Sequence, residues 1–312
     1  MRQGQRALVG KVSANQCSPE TYMETTKECI SDNVEFVEYV LSLNSDLVRP
    51  IITPRFAITC TAELMKELAG IAKKYDLHIQ SHISENTDEV KFTHELFPDG
   101  KNYAEVYDKA GLLTNKCVMA HGVHLEDDEI KLFVERGTSV SHCPNSNTNL
   151  KSGICDVKRL IAAGVKVGLG TDISGGNRIN ISDAIRSALD VSIHLSFFKK
   201  QTILGTGKLT ENAEENSKYE PIDYKQGLFL ATLGGAQALA LDDKIGNFLI
   251  GKDFDALLIE VHAGIIDKFD LPSALTANLT DEYKFQQLLQ KFLYVGDDRN
   301  VSKVYVKGQQ VK

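Results

Sequence analysis

No Cys-x-x-Cys occurs in this 312-residue chain, and its six cysteines (17, 29, 60, 117, 143 and 155) are scattered along it. Such scatter excludes a disulfide framework and reads as reduced, intracellular thiols. It also excludes the zinc motif that joins His-x-Glu to Pro-Cys-x-x-Cys, because Cys143-Pro144 has no second cysteine behind it. No apolar run approaches the length of a membrane span. The opening Met-Arg-Gln-Gly-Gln-Arg has no apolar signal core after it, so the cytoplasm is the expected compartment. Positive charge is in deficit, with 35 Lys and Arg against 42 Asp and Glu and a net charge of −7. A phosphate-backbone partner needs clustered cations, so the expectation is no nucleic acid and no membrane partner. No internal repeat of fixed period is found.

What the chain does have is alternation. Arg6 to Val12 reads as a strand, and Ser18-Pro19-Glu20 as a helix start with proline at its first position. Ile30, Val34, Val37, Val40 and Leu41 follow at helical spacing. Arg49-Pro-Ile-Ile-Thr-Pro-Arg-Phe56 is the next strand with its exit loop, and a helix carrying Leu64, Leu68 and Ile71 leads to a strand at 77–83. Helices near 88–97 and 103–110 precede the strand Cys117-Val-Met-Ala-His-Gly122. Two further helix-strand pairs run to Ser139-Val-Ser-His-Cys-Pro144 and to Val165-Lys-Val-Gly-Leu-Gly-Thr-Asp172. Three of these helices end at Gly111, Gly137 and Gly164, each suited to a left-handed cap. This is βα alternation with parallel strands. Later, Ile181 to Leu195 and 224–240 read as helices, and the polar stretch 199–221 as a surface loop. Ile245 to Glu260 reads as two strands around a Gly-Lys-Asp turn, and Val304 to Val311 as a hairpin.

Four strands end in a side chain capable of chemistry: His82, His121, His142 and Asp172. In a (β/α)8 barrel the strand C-termini converge on one face, which an open doubly wound sheet does not achieve. The predicted fold is therefore a (β/α)8 TIM-type barrel, although only six of the eight strands can be counted. Residues 1–244 form the partial barrel; residues 245–312 form remnants of a small β-sandwich with a returning helix. A hydrolytic metal centre needs neutral imidazoles, a carboxylate and an open position for water. His82 and Asp172 suit ligation, His121 suits orienting the water, and Glu85, three residues past His82, suits proton delivery. Singly, each has a blander explanation: Asp172 as a helix cap, His121 as support for its loop. Their shared place at strand ends is harder to explain by packing.

His82-x-x-Glu85, His121-Gly122, Ser141-His-Cys-Pro-Asn-Ser-Asn147 and Gly170-Thr-Asp172 together resemble, in order, the metal-dependent amidohydrolase superfamily. Within it the resemblance is strongest to the guanine deaminases, through Thr53-Pro-Arg-Phe56, Gln80-Ser-His-Ile-Ser-Glu-Asn86 and Gly296-Asp-Asp-Arg-Asn300. The resemblance implies hydrolysis of guanine to xanthine and ammonia at a single zinc per subunit, in a homodimer. It implies His82 and Asp172 as zinc ligands that also border the substrate, with Glu85 as proton shuttle and His121 holding the attacking hydroxide. Arg55 and Phe56 would bind the purine, the one by a rigid donor fork and the other by stacking. Read without the resemblance, Arg55 is a surface ion-pair residue and Phe56 a core residue.

The family pattern also carries a His-x-His pair on its first barrel strand, within two further βα units upstream of the position of Arg6. The eight histidines here (78, 82, 94, 121, 124, 142, 194 and 262) contain no such pair. The expectation is a truncated chain with two zinc ligands instead of four, and by itself a poor enzyme. Two other readings are an amidohydrolase acting on a different amino-heterocycle, and a non-catalytic barrel fragment acting through protein contacts.

Overall fold

A computed structural model describes residues 4–201, 214, 218–261 and 280–312. Seven parallel strands alternate with helices from the start: β1 Ala7–Val9, β2 Val12–Ser13, β3 Val48–Pro54, β4 His78–Ile83, β5 Cys117–His121, β6 Ser139–His142 and β7 Val167–Leu169. The sheet order is β1-β3-β4-β5-β6-β7, with β2 also on β3. Since β1 and β2 pair in parallel with successive parts of β3, they are two segments of one edge strand, and the sheet has the six positions counted from the sequence. The interruption falls at Gly10, where a Cβ would lie 2.1 Å from Thr53 Oγ1 and 2.6 Å from the Ile51 carbonyl oxygen. Only glycine permits that approach.

Each helix between strands has a local cause. In α2 (Ala62–Tyr75), Thr61 Oγ1 accepts the Leu64 N–H at 3.2 Å, and Leu64, Leu68 and Ile71 recur on one buried face. That face packs on the alternate strand residues Ile79 and Ile83 and on Met119, all in one continuous apolar core. Gly111, Gly137 and Gly164 cap α4 (Tyr103–Ala110), α5 (Asp127–Arg136) and α7 (Val157–Ala163) with φ of 80°, 69° and 97°, as expected. The other face of the sheet is polar and carries His78, Gln80 and His82 on β4.

The sheet curls. Strands β4 and β7 are separated by β5 and β6, so on a flat sheet their ends would stand about 14 Å apart at the usual spacing. Instead ligating atoms of His82, at the end of β4, and Asp172, just after β7, lie within 4.8 Å of each other. The architecture is an incomplete α/β barrel, as the alternation predicts. A second sheet of antiparallel strands, β10-β9-β8, comprises β8 Ala256–Ile259, β9 Val301–Val306 and β10 Gln309–Gln310. Lys307 and Gly308 both adopt positive φ in the hairpin turn, as a two-residue loop demands. Arg6 forks between Asp253 and Asp255, each at 2.8 Å, and so fastens the small sheet beside β1.

Several expectations are corrected. The first helix, α1 (Thr26–Ser42), starts at Thr25 rather than Ser18, because Thr25 and Glu28 form a reciprocal capping box while Pro19 closes a turn. Residues 224–240 form two helices, Tyr224–Ala231 and Leu233–Ala238. They break at Thr232, so that Gly235 can pack against Gly168 of β7. Residues 245–250 are turns, not a strand; Asp253 N–H bonds the Lys244 carbonyl, and Phe248, Leu249 and Ile250 are exposed. Most of the polar stretch 199–221 lies outside the described residues. The helix at Ile181 runs on to Lys200, and a late helix spans Asp281–Val295. Among the described residues no helix is long and apolar enough to cross a membrane.

Two outcomes follow from the packing. Leu68 is fully buried in the main core, so Leu68→Ala should lower unfolding free energy by about 2–5 kcal/mol in a urea titration. His142 is buried with neither ring nitrogen bonded to protein, and burial pushes its pKa down to about 3. Below pH 6.5 the unfolded chain takes up the proton and the folded one does not, so stability falls as pH drops toward 3. His142→Leu should flatten that part of the urea-midpoint profile.

Candidate metal and proton-transfer site

Three strand exits, those of β4, β5 and β7, turn through backbone that side-chain-bearing residues rarely adopt. Ser84, His121 and Asp172 have φ of 48°, 74° and 46°. Such left-handed residues cost about 1–3 kcal/mol each and gather where geometry is imposed by function. At His121 the consequence is direct. Period-two alternation would put it with Cys117 and Met119 against the helices. Its positive φ breaks the alternation, and its ring stacks on His82 instead, with centroids 5.4 Å apart and planes at 23°.

His82 Nδ1 lies 2.6 Å from the Arg55 carbonyl oxygen. A carbonyl only accepts, so Nδ1 carries the proton and Nε2 keeps its lone pair, the arrangement a metal ligand needs. Burial lowers the His82 pKa, with the nearby His121 adding to it against the pull of the Arg55 carbonyl and the two carboxylates. The ring is thus held neutral. His121 Nδ1 donates to Asn147 Oδ1 at 2.9 Å, leaving its Nε2 3.6 Å from Glu85 Oε2 and 4.0 Å from Asp172 Oδ2. One ligating atom from each of His82, His121 and Asp172 falls within 4.8 Å of the others. Two imidazole nitrogens and a carboxylate oxygen are a donor set that suits zinc and other borderline divalent ions. Cys143, next in the chain to His142, lies outside this cluster; burial and the Asp172 charge push its thiol up to about 12.

Around this cluster the loops are tied down. Glu85 Oε1 accepts from Ser152 Oγ at 2.9 Å, and the Glu85 N–H donates to Glu89 Oε2 at 2.7 Å. Asp172 sits against Gly175, where a Cβ would fall 2.7 Å from its Oδ2. Asn149 Nδ2 donates to the Gly175 carbonyl at 2.8 Å, holding that loop from the helix Pro144–Asn149. Arg55 is exposed, its guanidinium carbon 4.7 Å over the Phe56 ring, and Phe56 meets His82 edge-on at 6.4 Å. Of the seven residues singled out in the sequence, Arg55, Phe56, His82, Glu85, His121 and Asp172 form one series of contacts, while His142 is buried with neither ring nitrogen bonded to protein. Asn147 closes the Ser141-to-Asn147 motif but was given no role from the sequence, and Ser152 and Glu89 were not singled out. Glu89 had a visible signal, the Asn86-x-x-Glu89 capping box.

The chain resembles known proteins over nearly its whole length. The chain is 47% identical to rat guanine deaminase over 310 residues, which is 99% of this chain and 63% of that protein. It is 48% identical to the human guanine deaminase over the same span. The structure of C. acetobutylicum guanine deaminase with bound guanine superposes with a TM-score of 0.81 at 33% identity, covering 98% of this chain and 65% of that one. The chain therefore spans about two-thirds or slightly less of the relatives it matches. The amidohydrolase family model matches residues 1–311, nearly the full sequence. The chain belongs to the amidohydrolase family.

Proposed function

We propose that this chain carries out, or supplies most of the apparatus for, hydrolytic deamination of guanine to xanthine and ammonia with one zinc per subunit. The observation that carries it is the clustering of His82, His121 and Asp172, combined with similarity to guanine deaminases over 99% of the chain. The barrel at 1–244, the small sheet and late helix at 245–312, a homodimer and a cytoplasmic setting belong to the same proposal.

Of the three clustered residues, His82 and Asp172 would hold the zinc. When bound, zinc supplies the charge that makes an attacking water acidic near neutral pH. His121, with Nδ1–H engaged by Asn147, offers its Nε2 lone pair to that water and fixes its direction. Glu85, its carboxylate anchored by Ser152, would take one proton from the attacking water and pass it to a ring nitrogen, and the water's second proton would leave with the amine as ammonia. Phe56 stacks on the purine, and Arg55 supplies donors to its carbonyl and ring nitrogens. The edge-on contact of Phe56 with His82 supports a purine-binding role close to the zinc ligands.

Ammonia release from a panel of amino-heterocycles, with zinc-supplemented protein, tests the assignment. Guanine is the expected substrate, and Glu85→Gln should lower its rate by roughly 10²–10⁴-fold. Preference for adenine or cytosine, or a Glu85→Gln rate equal to the parent, would contradict it. Phe56→Ala should weaken guanine binding by about tenfold, in line with a stacking contribution near 1.4 kcal/mol, and leave the urea midpoint unchanged.

A further inference from the structure

One buried hydroxyl joins the loop that carries Arg55 and Phe56 to the strand that ends at His82. Tyr107 lies on α4, fully buried, behind the site rather than in it. Its Oη accepts the Ala57 N–H at 2.8 Å and its O–H donates to the His82 carbonyl at 2.7 Å. Ser81 Oγ stands 3.1 Å from the same hydroxyl and donates to the Pro54 carbonyl at 2.8 Å, with the Arg55 carbonyl at 3.3 Å. Beyond the end of β3, therefore, residues 54–57 are fastened to β4 through the side chains of Tyr107 and Ser81 and through the His82 ring.

The setting of Tyr107 is rigid. Its ring stacks on Tyr103, with centroids 5.4 Å apart and planes at 13°. The Tyr103 O–H donates to Glu89 Oε1 at 2.8 Å, while Glu89 Oε2 receives the Glu85 N–H at 2.7 Å and the Asn86 N–H at 3.3 Å. The tyrosine pair thus divides the work: Tyr107 holds the loop at 54–57, and Tyr103, through Glu89, holds the loop at 85–86. A buried N–H and a buried C=O left without partners cannot turn to water, so loss of the Tyr107 hydroxyl must be relieved by movement of the loop.

We propose that Tyr107 is a positioning residue that sets where Arg55 and Phe56 stand relative to His82, and thereby governs purine affinity without touching purine or metal. The purine half of this statement rests on the function proposed above; the loop half does not.

Deuterium exchange of residues 54–58 separates the two. Tyr107→Phe keeps the ring and its stacking, and should speed exchange of that segment about tenfold while β5, β6 and β7 exchange at parent rates. Tyr103→Phe should leave 54–58 unchanged and speed exchange at 85–86. If Tyr107→Phe does not fold, Ser81→Ala should give the same localised increase. For guanine, Tyr107→Phe should raise KM about tenfold with kcat within threefold of the parent. Parent-like exchange at 54–58, or a uniform increase across the whole sheet, would overturn the proposal. So would a fall in kcat at unchanged KM. A parent protein that neither binds nor turns over guanine would sink the functional reading instead, and the exchange pattern would still decide the role of Tyr107.

Discussion

Curvature of the parallel sheet is the constraint on which the chemistry depends. His82 and Asp172 stand on strands with two others between them, yet their ligating atoms are within 4.8 Å. Side chains alone cannot bridge that interval on a flat sheet. The curl follows from strand twist together with helices packed along one face, where Leu64, Leu68, Ile79, Ile83, Met119 and Phe133 form a single core. The concave face is then left to polar groups, and their arrangement is fixed by hydrogen bonds rather than by packing.

Those bonds share a pattern. Three groups at the site have their far side occupied so that their near side is free. His82 gives Nδ1–H to the Arg55 carbonyl, His121 gives Nδ1–H to Asn147, and Glu85 accepts from Ser152 on one oxygen. This is how a protein chooses tautomers and directions: the lone pairs that remain point inward because the protons have been used outward. Burial contributes by lowering the His82 pKa, which favours the neutral ring.

Much of this was legible from the sequence because parallel βα units announce themselves. Glycine at 111, 137 and 164 marks helix ends, and the strands between are short apolar runs. The strand-end residues were legible from chemistry and resemblance together, not from periodicity. Alternation alone assigns His121 to the helix side with Met119, and only its φ of 74° explains why it stacks on His82. Where the reading failed, a local competitor decided. Thr25 with Glu28 outcompeted Ser18 for the helix start, and the helix read over 224–240 breaks at Thr232, just before the weak helix formers Gly234 and Gly235. Phe248, Leu249 and Ile250 look like a strand in sequence, but turns through Gly246 and Gly251 leave them exposed. Tyr107 could not have been found, since a buried tyrosine in an amphipathic helix carries no mark of what its hydroxyl holds.

X-ray absorption on zinc-loaded protein tests the central claim, that His82, His121 and Asp172 enclose a single ion-sized space. The account predicts a nitrogen and oxygen shell at about 2.0–2.1 Å, with imidazole scattering that weakens in His82→Ala. A sulfur shell at about 2.3 Å, or a spectrum indifferent to both His82→Ala and Asp172→Ala, would contradict it.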